Sequence, residues 1–159
     1  MASEYSRLMA TANKHAVAGA SKLLATNYGK HIYSVKITED LDNGTIIGVG
    51  TMDNMEYYAQ AAAGTFEGKV IGQAGNGNYY VEVTKVDDNT VLVLTPPLLY
   101  EEYTTSMQHE SQFYNASGDI VRAYGLAVHD VFELSDEGFL ATPSVGDTVT
   151  VDATTHKLQ

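Results

Sequence analysis

The sequence predicts a mainly β fold, a single β-barrel or sandwich-like domain with an extended N-terminal arm. Two observations predict the domain. From about position 31, apolar stretches with a period of two or β-branched composition recur at spacings of 8–15 residues. Clusters of Gly, Asn and Asp punctuate them, and helical periodicity is almost absent. A third observation predicts the arm: residues 1–30 are rich in Ala, Ser and Thr and hold few large apolar groups, so alone they bury too little to offset their ordering entropy. The division is therefore a basic arm over 1–30 and a β-rich domain over 31–159. A chain of 159 residues suits one domain with an appendage.

The elements follow in order. His31 to Thr38 alternates, with Tyr33, Val35 and Ile37 on one face. Asp40-Leu41-Asp42-Asn43-Gly44 is a turn, and Thr45 to Thr51 is a Gly-punctuated strand. Met55 to Gln60 reads as a weaker strand or a short capped helix, and Phe66 to Gly72 as another strand. Tyr79 to Val86 and Thr90 to Thr95, joined by Asp87-Asp88-Asn89, read as a hairpin that Pro96-Pro97 stops. Residues 98–117 read as a long loop with room for a short helix. Ile120 to Tyr124, Val128 to Ser135 and Thr148 to Asp152 complete the set. Gly118-Asp119, His129-Asp130 and Gly146-Asp147 each put Asp just before a strand, where Asp caps backbone N–H groups and Gly takes a positive φ.

Charge is unevenly divided. Residues 1–36 hold five basic residues against the single acid Glu4, while residues 37–159 hold 4 basic against 19 acidic. Such a body repels nucleic acid and acidic membranes, so neither is an expected partner. A basic head suits an acidic protein surface, including a second copy of the same body. Met1 to Arg7 lacks the basic-then-apolar order of a secretory leader, so the chain is expected to stay where it is made or to leave by another route.

Catalytic patterns do not emerge. There is no Cys, the five His are scattered singly, and no Gly-x-Ser-x-Gly occurs. Asp40-x-Asp42-Asn43-Gly44 has Gly at the fifth position of a would-be calcium loop and no Glu at the twelfth, so it reads as a turn. No enzyme, metal or cofactor is expected. Asn43-Gly44-Thr45 and Asn115-Ala116-Ser117 match glycosylation sequons by chance. Tyr57, Tyr58, Tyr100, Tyr103 and Tyr114 are candidate interface aromatics, since Tyr is enriched at protein contacts. Adjacent pairs on a strand place one ring inside and one outside. Exposed Tyr could also stack on sugar, although sugar platforms favour Trp and there is none.

Phe113-Tyr114-Asn115-Ala116-Ser117-Gly118-Asp119-Ile120-Val121-Arg122-Ala123-Tyr124 leads into His129-Asp130-Val131-Phe132-Glu133-Leu134-Ser135. The close is Pro143-Ser144-Val145-Gly146-Asp147-Thr148-Val149-Thr150-Val151. Over residues 31–155 this layout resembles the small head proteins of tailed bacteriophages, accessory or decoration proteins of the capsid. The resemblance implies a β-rich structural protein, made in the host cytoplasm, that binds the outside of the shell through an N-terminal arm. Its implied partners are the major capsid protein and neighbouring copies of itself, with trimers the implied oligomer. On that reading Leu8, Met9, Val17, Leu23 and Leu24 become buried on docking, and Arg7, Lys14, Lys22 and Lys30 supply the arm's basic charge, the lysines pairing with shell carboxylates. The alternatives are a head-to-tail or tail component and, from another class, a carbohydrate-binding module using exposed tyrosines.

Overall fold

The computed structural model describes residues 15–19, 32–53, 55–75, 77–95 and 113–159. Among these there is no α-helix, only a 3-10 turn at Asp136–Gly138. Ten strands among the described residues form two sheets: β1 (Ala18–Gly19), β2 (Ile32–Lys36), β3 (Ile46–Asp53), β4 (Tyr57–Ala61), β5 (Phe66–Gln73), β6 (Tyr79–Val86), β7 (Thr90–Val93), β8 (Ile120–Gly125), β9 (Val131–Leu134) and β10 (Thr148–Thr150). The first sheet is open, in the order β1-β9-β6-β5-β10. The second is a closed barrel, β2-β4-β3-β7-β8, in which β2 and β4 run parallel and the other neighbours antiparallel. The mainly β expectation therefore holds, and the domain is a barrel with a sheet packed on it.

Two cores explain the residue pattern. Val35, Ile37, Ile47, Val91, Val93, Val121 and Ala123 fill the barrel. Ile46, Leu92 and Tyr124 belong instead to the cluster that contains Phe66, Val70, Val81, Phe132 and Leu134 of the open sheet. Successive side chains on a strand face opposite ways. Hence Ile46-Ile47 and Val91-Leu92-Val93 supply both cores at once, and all four residues of β7 are buried. Strands covered on both faces lose polar alternation. By contrast β6, whose outer face meets solvent, alternates from Tyr79 to Val83.

The expected hairpin at 79–95 is corrected. The turn is there, since the Thr90 amide donates to the Asp87 carbonyl at 3.1 Å, but its two arms do not pair. β6 lies between β5 and β9, whereas β7 lies between β3 and β8. The chain turns the corner from one sheet to the other. A second crossing, residues 62–65, runs beside it: the Thr65 amide donates to Asp87 Oδ2 (2.7 Å) and the Gly64 amide to Thr90 Oγ1 (3.1 Å). Non-local partners on both sides of β7 outcompete the local turn. Of the two readings of Met55 to Gln60 the strand holds: β4 occupies Tyr57–Ala61, and the short helix is absent.

The three Asp-before-strand turns share one geometry. The amides of Asp119, Asp130 and Asp147 donate to the carbonyls of Ala116, Ala127 and Ser144, at 3.0, 3.1 and 3.1 Å. The residue before each Asp has positive φ: 87° at Gly118, 76° at His129 and 99° at Gly146. Asp130 and Asp147 also accept from the amides of Ala127 and Ser144 (2.9 and 2.8 Å). His129 thus stands at a position that favours glycine, and it belongs to a turn rather than to the strand expected from Val128.

Candidate functional site

Three chain segments meet at a cleft of about 340 Å³ lined by His15, Glu39, Asp42, Thr154, Thr155 and Lys157, among others. The 38–42 turn supplies its carboxylates. His15 donates from Nδ1 to Asp42 Oδ1 at 2.6 Å, and the Ala16 amide donates to Asp42 Oδ2 at 3.2 Å. Lys157 Nζ lies 3.7 Å from the same Oδ2. Asp42 is largely buried, so these charge-assisted contacts are little screened. Glu39 Oε1 accepts from His156 Nε2 at 2.6 Å and from Gln60 Nε2 at 3.2 Å. His156 is buried and has a φ of 61°, held there by a C-terminal turn. Asp152 closes that turn by accepting from the Thr154 and Thr155 amides and from Thr155 Oγ1 (3.2, 2.7 and 2.8 Å). The Thr155 bonds hold the Asp152 carboxyl below its ordinary value of 3.8.

This arrangement fastens three segments of the chain to one another. A histidine paired with a carboxylate can serve as an oriented base. The His15 ring also stacks on Tyr114 (centroids 5.3 Å apart, planes at 21°), and Thr45 and Thr155 use their hydroxyls on the Asp42 carbonyl and the Asp152 carboxylate. What the cleft secures is the N-terminal segment. Ala18 and Gly19 pair with Leu134 and Glu133 of β9, and Val17 exchanges bonds with Ser135: its amide donates to Oγ and its carbonyl accepts the Ser135 amide, both at 2.9 Å. Ala16 is 2% exposed.

Residues 15–19 of the expected arm are therefore part of the body, with Val17 half-buried on it. Arg7, Leu8, Met9, Lys14, Lys22, Leu23, Leu24, Lys30, Tyr100 and Tyr103 lie outside the described residues. Among the tyrosines, Tyr114 is corrected: at 5% exposure and stacked on His15 it is not a surface anchor. Tyr58 is half-buried against the barrel core, edge-on to Tyr33 at 5.3 Å. Tyr57, its neighbour, faces outward beneath Lys36 Nζ, 5.3 Å from the ring centroid.

No family model, curated protein or solved structure matches this chain. The assignment of function rests on its own residues.

Sequence reasoning missed one network. Asn43 and Asn115, the two apparent sequon residues, are buried and bonded to each other, Asn115 Nδ2 donating to Asn43 Oδ1 at 3.1 Å. Asn43 also accepts the Thr95 amide and donates to the Thr95 carbonyl (3.0 and 2.9 Å), while Asn115 donates to the Leu41 carbonyl (3.1 Å). They tie the 41–45 turn to the end of β7 and to the chain entering β8, 72 residues away. No local signal marks such a pair. The folded chain has no accessible amide at either position. Among the described residues, no three His, Asp or Glu side chains converge as a metal site.

Proposed function

We propose that the protein is a virion structural component, a decoration protein that binds the outer surface of a bacteriophage capsid and stabilises it. The observation that supports this most is the fastening of residues 15–19 to an acidic body. The N-terminal 36 residues carry five basic side chains and one acidic, against 4 and 19 over the rest, and Lys14 and Lys22 flank the anchored segment in sequence. Basic side chains tethered this close to a rigid body can pair with shell carboxylates at reduced entropic cost, because their starting point is already ordered. The acidic body would then face solvent and keep particles apart. The major capsid protein and neighbouring copies of the chain are its proposed partners. The tyrosines favour the glycan-binding alternative less, since Tyr114 and Tyr58 point into packed structure.

Quantitative mass spectrometry of purified particles of the encoding virus tests the reading. One copy for each shell protein, or for every few, is expected. A dozen or fewer copies per particle would replace decoration by a head-to-tail or tail role, and absence from particles would overturn both. Deleting residues 1–14, which leaves β1 intact, is expected to abolish docking while the body stays folded.

A further inference from the structure

We propose that the outward face of β8, β2 and β4 is a contact between copies of this chain, and that it receives the apolar-tipped loop 139–146 of a second copy together with the acids that flank that loop, Asp136, Glu137 and Asp147. The inference rests on the self-association part of the proposed function, not on its virion part. Strand register assembles the face. Ser34 pairs with Arg122, Lys36 with Ile120 and, across the parallel pair, Lys36 with Ala59. Because Val35 and Val121 fill the barrel, these neighbours point outward. Two cations thus lie among Ile32 (38% exposed), Ile120 (52%) and Tyr57, and these outward strand positions carry no carboxylate. Asp53 and Asp119 stand at the rim. Neither Lys36 nor Arg122 forms an ion pair among the described residues.

The complement lies on another side of the same chain. Residues 123–156 contain six acids and no Lys or Arg. Within them the loop 139–146 raises Leu140 (48% exposed) and Val145 (60%), flanked in sequence by Asp136, Glu137 and Asp147. It is pinned at both ends: the Leu140 amide donates to the Leu158 carbonyl (2.8 Å) and the Gly146 amide to the Val70 carbonyl (2.7 Å). A pre-ordered loop with an apolar tip and acids at both its ends matches a basic face with an apolar centre in both charge and polarity. Since loop and face are different surfaces, the contact is head-to-tail, and it closes into a ring where the rotation permits.

Sedimentation velocity of the full chain over a concentration series, at about 50 mM and about 500 mM salt, reads this directly. The wild-type chain is expected to associate, more weakly at high salt. Lys36→Glu with Arg122→Glu is expected to weaken association at least about tenfold, an unchanged circular-dichroism melt showing that it still folds. Mixing it with Asp136→Lys, Glu137→Lys is expected to restore mixed assembly. Association unchanged by the face reversal, a wild-type chain that stays monomeric throughout, or no rescue in the mixture would each overturn the proposal. None of these outcomes alters the copy number on particles, which tests the virion reading separately.

Discussion

Replacing Gly138 by alanine drives a methyl group into Leu134, the fully buried residue beneath the N-terminal segment. An alanine Cβ there would stand 2.5 Å from both Cγ and Cδ1 of Leu134 and 2.7 Å from Cδ2. Gly138 is not in the left-handed region, so the backbone accepts alanine and the cost is steric. Overpacking of this kind costs about 1–3 kcal/mol. Leu134→Ala errs in the opposite direction. It removes three carbons, about 2.4 kcal/mol of transfer energy at ~0.8 per carbon, and with the cavity it leaves the total reaches about 3–5 kcal/mol. If the two were independent, the double variant would lose about 4–8 kcal/mol, enough to unfold many domains. The geometry predicts otherwise, because the new methyl enters the space that Leu134 vacates. The double variant should be no less stable than Leu134→Ala alone, a coupling of about 1–3 kcal/mol. Urea unfolding of the four proteins, followed by circular dichroism with midpoint and slope fitted together, measures it. Additivity within about 0.5 kcal/mol would refute the packing argument.

Two further outcomes follow from the cleft. Asp42→Ala removes the shared acceptor of His15 and Ala16 and the partner of Lys157, contacts of the charge-assisted class worth about 1.5–3 kcal/mol. Amide exchange at Ala16, Ala18 and Ser135 should accelerate while exchange in β6 stays slow; equal acceleration in β6 would mean global loss instead. The lowered Asp152 carboxyl contributes stability that is present above its unfolded value of 3.8 and is lost as pH falls through the lower folded value. NMR titration should therefore place the Asp152 midpoint below 3.8, with Thr155 amide protection disappearing alongside it, and a midpoint at or above 3.8 would contradict the turn geometry.

Asp119, Asp130 and Asp147 were legible in sequence because a turn is built within four residues: all three turns close through the backbone, and the Asp130 and Asp147 carboxylates cap theirs. The strand at Tyr79–Val86 was likewise legible, from its own alternation. The candidate site was not. His15 and Asp42 are 27 residues apart, His156 and Glu39 are 117 apart, and neither pair has a spacing that any short motif encodes. Ala and Gly at 16–19 looked too small to hold a segment in place. The segment is held instead by its hydrogen bonds to Asp42, Ser135 and β9, over a Leu134 side chain for which Gly44 and Gly138 leave room.

By itself the sequence determined what depends on nearest neighbours and on composition: a β-rich chain, the positions of most strands and turns, and a basic head on an acidic body. Tertiary structure decided which strands pair. β6 and β7 follow each other across a turn suited to a hairpin, yet each is hydrogen-bonded on both sides to strands from elsewhere in the chain. Tertiary structure also decided that Asn43 and Asn115 are buried ties, that Tyr114 covers His15, and that Lys36 and Arg122 share a face. Turn propensity acts over a few residues. Burial of two apolar faces and satisfaction of every buried hydrogen bond are conditions on the whole fold, and where the two conflict the larger energy sets the outcome.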